Sequence, residues 1–163
     1  MRVGVVGHRY LTAEGAAFTA RSCARLLSGL RASHSRVTAL SALAEGADTL
    51  FASTAVVLGL PLDVVQPHND YRSDFESSTA LAAYDRLVAK ARHRRLMPHR
   101  RRSDAAYRAA MRLVAEDCDL LAVVWDGYPS ASVGGTADTI RYARARGQAI
   151  VHLNPLERSV SLG

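Results

Sequence analysis

Lysine is nearly missing from this chain: Lys90 is the one lysine among 21 basic side chains, and the other 20 are arginine. An arginine bias spread over the whole sequence is a compositional background, so it weakens any reading of one arginine cluster as selected for nucleic-acid chemistry. Aromatics make up 6% of residues and none interleaves the most basic stretch, which argues against a base-stacking platform there. Cys23 and Cys118 are too few for a disulfide framework or a thiolate zinc site, and in their apolar surroundings they read as buried free thiols of a reducing compartment. No apolar run approaches the ~18 residues of a membrane span. The N-terminus opens directly on an apolar strand, Arg2-Val3-Gly4-Val5-Val6, without the charged leader and long apolar stretch of a signal peptide. The six histidines lack metal-ligand spacing. These absences predict a cytoplasmic protein with no metal, no cofactor and no membrane contact.

What is present fits one domain: 163 residues, 48% hydrophobic, enough to bury a core without staples. The formal charge of +6 is local. Eight Lys or Arg and no acid lie between Arg86 and Arg102, leaving 13 bases against 15 acids elsewhere. Apolar runs and helical periodicities alternate. Strands are expected over about 2–7, 36–42, 61–66, 119–125 and 148–153. Helices are expected over 13–30 with Thr12 as N-cap, 47–58 closed by Gly59, from Ser77 to a break near Pro98, from Ser103 or Asp104 onward, and after Gly135. Strands such as Val3–Val6 and Leu120–Trp125 are nearly continuous apolar runs, the pattern of a parallel sheet covered on both faces. Right-handed crossovers then give an α/β, Rossmann-like three-layer domain over 1–153, with a five-stranded mostly parallel sheet in order 3-2-1-4-5. Residues 154–163 read as a tail.

Four short segments end apolar runs: Val5-Val6-Gly7-His8-Arg9, Leu43-Ala44-Glu45-Gly46-Ala47-Asp48, Trp125-Asp126-Gly127, and Val133-Gly134-Gly135-Thr136-Ala137-Asp138. In strand-helix alternation all four fall at the carboxyl edge of the sheet, where open α/β proteins bind ligands. Glycines there let backbone N–H groups approach a ligand, and a following helix N-terminus favours negative charge; together they suit a phosphate-bearing molecule. Gly134, Gly135 and Thr136 would cradle phosphate through amides and a hydroxyl. Gly7 would give close approach, and His8 and Arg9 charged donors. Glu45, Gly46, Ala47 and Asp48 offer amides and carboxylates, although acids in a first helical turn serve the helix dipole equally well. Asp126, beside Gly127, would accept from a ribose hydroxyl while Trp125 fills the core. The polar loop from Pro67 to Asp74 would arch over the ligand, with Tyr71, Arg72 and Asp74 closing on it.

With these residues in order, the chain resembles the SLOG superfamily, the Rossmann-like group that joins the DNA-processing protein Smf/DprA with the cytokinin-activating LOG enzymes. The resemblance rests on Gly4-Val5-Val6-Gly7-His8-Arg9, Ala44-Glu45-Gly46-Ala47-Asp48, and Asp119 to Gly127 followed by Gly134-Gly135-Thr136. It implies a pocket for a nucleotide or nucleotide-derived ligand, used for recognition by some members and for N-glycosidic hydrolysis of nucleoside monophosphates by others, and commonly a homodimer. LOG enzymes carry paired glutamates after Pro-Gly-Gly-x-Gly-Thr; here Val133 stands for the proline, Asp138 for the first glutamate and Thr139 for the second. The expected function is a nucleotide sensor or recognition module. One alternative is an N-glycosidase using Asp138 or Glu45. Another is a DNA-binding protein using Arg86 to Arg102, for which the charge supports weak, sequence-independent binding at most.

Overall fold

A computed structural model describes residues 1–128 and 135–163. Its strands are β1 (Arg2–Gly7), β2 (Thr38–Ser41), β3 (Leu62–Gln66), β4 (His93–Leu96), β5 (Leu120–Val124), β6 (Ala149–Asn154) and β7 (Ser159–Leu162). Its helices are α1 (Ala13–Ser33), α2 (Ala47–Val57), α3 (Ser78–Lys90), α4 (Asp104–Glu116) and α5 (Thr136–Ala145), with a 3-10 turn at Tyr71–Asp74.

The sheet order is β4-β3-β2-β1-β5-β6-β7, parallel except for the antiparallel β6–β7 pair. Its inner five strands follow the expected 3-2-1-4-5 order. The expectation of five strands is corrected to seven, because an unanticipated strand closes each edge. Side chains alternate across the sheet as a period of two requires. Val3, Val5, Ala39 and Val64 join Phe18, Leu27, Phe51 and Tyr84 of α1–α3 on one face. Val6, Leu40, Val65 and Leu121 join Ala110, Val114, Ile140 and Ala143 of α4 and α5 on the other. Two cores against one sheet make the three layers.

Local chemistry sets the helix starts. Thr12 Oγ1 accepts from Gly15 N at 3.0 Å, Ser77 Oγ from Ala80 N at 3.4 Å, and Ser103 Oγ from Ala106 N at 3.1 Å. The third helix stops at Lys90, short of the expected break near Pro98, because the chain turns to pair with β3. Arg92 N donates to Leu62 O at 2.7 Å, and Val64 aligns with Arg94. All four β4 residues are exposed. The arginines in and beside it are paired: Arg92, just before the strand, makes a two-pronged pair with Asp63 (3.1 and 2.8 Å), Arg94 donates to Gln66 Oε1 at 2.8 Å, and Arg95 pairs with Asp117 at the end of α4 at 3.5 Å. The expected tail instead contains an edge strand. Asn154 Oδ1 accepts from Leu156 N and Glu157 N, both at 3.0 Å, folding the chain back so that Leu153 faces Val160. Among the described residues no helix is long and apolar enough to cross a membrane.

Candidate functional site

A cavity of about 480 Å³ opens at the carboxyl edge of the sheet. Gly7, His8 and Arg9 line it from the end of β1, Ala42 and Ala44 from the segment after β2, Asp48 from α2, and Pro67 and Tyr71 from the loop after β3. One face of α4 completes the floor with Asp104, Tyr107, Ala110, Met111 and Val114; Arg102 stands before that helix, and Gly135 and Thr136 stand at the start of α5. The lining combines apolar side chains with a few polar and charged ones, Arg9, Arg102, Asp48 and Asp104, the composition of a small-molecule site.

The glycines of the first two segments serve the chain itself. A Cβ on Gly7 would meet Ala47 Cβ at 2.6 Å and Val124 Cβ at 2.7 Å, so only glycine lets α2 and β5 close on the end of β1. Gly46 has φ +86°, and a Cβ there would lie 2.2 Å from Arg9 O. Ala47 N donates to His8 O at 3.0 Å, which engages the α2 N-terminus with the β1 turn. At α5 no side chain among the described residues caps the helix; Gly135 O accepts from Asp138 N at 3.1 Å and Thr139 N at 3.2 Å. Among the described residues neither α2 nor α5 has a side-chain N-cap; His8 O engages the start of α2, whereas Gly135 and Thr136 at the start of α5 line the cavity. Gly134 lies outside the described residues.

Arg9 is half-buried, and among the described residues no carboxylate stands within 4.0 Å of it. Its guanidinium lies 5.0 Å from the centroid of the Tyr107 ring. Desolvation works against its charge, but the nearby Tyr71, Tyr107 and Asp74 more than offset it and raise its pKa. Asp48 is buried, and loss of hydration pushes its carboxyl up to about 7 against the opposing influence of the Ala44 backbone, Ser41 and Arg9. Ser41 Oγ donates to Asp48 Oδ2 at 3.4 Å.

His8 Nε2 lies 3.0 Å from Asp126 Oδ1 and 3.1 Å from Asp126 N, linking the ends of β1 and β5. Burial opposes ionisation of Asp126, but the Tyr128 N–H and His8 outweigh it and lower the carboxyl below the usual value. Asp126 and Gly127 are outside the cavity lining, as are Glu45 and Asp138; Asp138 pairs with Arg141. Trp125 donates from Nε1 to Tyr128 O at 2.8 Å.

The loop after β3 packs as a wall where sequence suggested a cover. His68 and Tyr71 are buried, Asp74 lies beneath them, and Arg72 pairs with Asp85 at 2.8 Å. Sequence reasoning missed Arg102 and Tyr107. Asp104, Tyr107, Met111 and Val114 recur at spacings of three and four, a signal that one face of α4 is shared between core and cavity.

Neither a family model nor a curated protein sequence matches the chain. Solved structures do. DNA processing protein A (DprA) from Streptococcus pneumoniae superposes with a TM-score of 0.66 at 18% identity, over 93% of this chain and 49% of that one. DNA processing protein A from Helicobacter pylori, described in its single-stranded DNA binding mode, superposes with a TM-score of 0.67 at 15% identity, over 93% of this chain and 64% of that one. The chain shares the Rossmann-like fold of these DprA structures. It spans about half to two thirds of the length of these DprA chains, and at such identities the likeness is one of fold.

Proposed function

We propose that the cavity binds a phosphorylated nucleotide unit as a recognition site. The observation that carries the reading is Arg9: a half-buried cation in a cavity that the α5 N-terminus also lines, with neither a carboxylate within ion-pair distance of Arg9 nor a side-chain cap on α5 among the described residues. A phosphate between them would satisfy both, and the apolar wall of Val5, Val6, Ala110 and Met111 would take the base. Binding without hydrolysis is favoured because Glu45 and Asp138, the carboxylates an N-glycosidase would use, do not line the cavity.

A second reading, in which that unit belongs to single-stranded DNA, is favoured by two observations. One solved neighbour of this fold is described as binding single-stranded DNA, and Arg102 brings the end of the basic stretch into the cavity lining. Thermal-shift and calorimetric titration with the ribo- and deoxyribonucleoside 5′-monophosphates, their nucleosides and a short oligo-dT tests both. Nucleotides should stabilise the protein where nucleosides do so weakly, and Arg9→Ala should cut nucleotide affinity by about tenfold or more. Equal binding of nucleosides and nucleotides would remove the phosphate assignment. Tight oligo-dT binding with no response to mononucleotides would leave the second reading alone.

A further inference from the structure

Arg9 leaves a turn, and an arginine without an ion pair samples many rotamers, so a site built on it needs something to orient the guanidinium. The face of Tyr107 lies 5.0 Å away. That ring is itself anchored: Tyr107 Oη donates to Asp74 Oδ2, and the same oxygen accepts from His68 Nε2 at 2.9 Å. The Asp74 side chain is 3% exposed and that of His68 is 0% exposed. His68 also meets Tyr107 edge-on, with centroids 6.0 Å apart at 74°. Its Nε2–H tautomer makes the bond to Asp74 and leaves Nδ1 buried without a partner among the described residues. Burying a carboxylate and a half-satisfied imidazole is a costly way to fill space that apolar side chains would fill better. What the arrangement gains is a rigid ring under a cation, joined across the β1 turn, the loop after β3, and α4.

We propose that the His68–Asp74–Tyr107 chain orients Arg9 for anion binding, making Tyr107 and Asp74 positioning residues of the cavity. The inference rests on the reading of Arg9 as the phosphate contact. Tyr107 holds the guanidinium plane, Asp74 holds the Tyr107 ring from behind and adds a negative field that favours the arginine cation, and His68 holds Asp74.

The test is a double-mutant cycle read as the ratio of nucleoside 5′-monophosphate to nucleoside affinity by calorimetry. Tyr107→Leu should reduce that ratio about fivefold or more, nucleotide affinity falling by more than nucleoside affinity. Tyr107→Phe, which keeps the ring and frees it from Asp74, should fall between Tyr107→Leu and the wild type. In an Arg9→Ala background, Tyr107→Leu should cost nothing further, since the group it orients is gone. Asp74→Asn should behave like Tyr107→Phe; if it fails to fold, the Tyr107 cycle decides. Additive losses in the Arg9→Ala background, or equal losses for nucleosides and nucleotides, would overturn the positioning role while leaving Arg9 as a phosphate contact. A wild type with no preference for the phosphorylated ligand would overturn the Arg9 reading and this inference with it.

Discussion

Replacing Asp48 by asparagine isolates the cost of ionising a carboxyl inside the cavity wall. The folded-state value is raised from 3.8 to about 7, chiefly by burial. Between these limits the native protein holds a proton that the unfolded chain has released, so stability falls as pH rises through that window and levels off above about 7. A shift of this size corresponds to roughly 4 kcal/mol at 1.36 kcal/mol per unit. An asparagine carbonyl still accepts from Ser41 Oγ and carries no charge, so Asp48→Asn should stabilise the protein at pH 8 by an amount of that order, and the gain should vanish near pH 4. Urea unfolding followed by circular dichroism, for both proteins from pH 4 to 8.5, reads the difference directly. A variant less stable than wild type at pH 8, or a gain that does not vary with pH, would refute the reasoning and mean that Asp48 is stably ionised beside Arg9.

Two other substitutions separate architecture from ligand chemistry. Gly46→Ala combines a left-handed backbone with a Cβ 2.2 Å from Arg9 O, so it should destabilise the fold by roughly 2–6 kcal/mol in denaturant unfolding, whether or not ligand is present. Changing Arg100, Arg101 and Arg102 together to serine should leave thermal stability intact and flatten the salt dependence of oligo-dT binding. It should also weaken mononucleotide binding modestly, an effect that Arg102→Ser alone should reproduce because only Arg102 lines the cavity.

The inner sheet was legible because its strands are apolar on both faces, and Val3–Val6 and Leu120–Val124 have no other stable environment. The edges were not. His93-Arg94-Arg95-Leu96 has no apolar alternation; it becomes a strand because β3 offers a free ladder and because Gln66 and Asp117 receive its arginines, as Asp63 receives the preceding Arg92. Ser159–Leu162 is short and exposed, and pairs only once the Asn154 turn reverses the chain. Of the cavity lining, Arg9, Gly135 and Thr136 are legible because strand ends and helix starts are visible in sequence. Sequence alone does not show that Gly7 and Gly46 are constrained by the packing of Ala47 and Val124 on β1 and by the backbone of Arg9, because those contacts come from distant segments. The partnership of Tyr107, Asp74 and His68 spans two distant segments, and nothing local in either announces it.

The most direct measurement is amide chemical-shift mapping of the 15N-labelled protein during titration with nucleoside 5′-monophosphates. The largest shifts are expected at His8, Arg9, Gly135 and Thr136, with β4 unmoved and the response lost in Arg9→Ala. Shifts centred on Arg92 to Arg95, or no saturable shift at the carboxyl edge of the sheet, would contradict the proposed function.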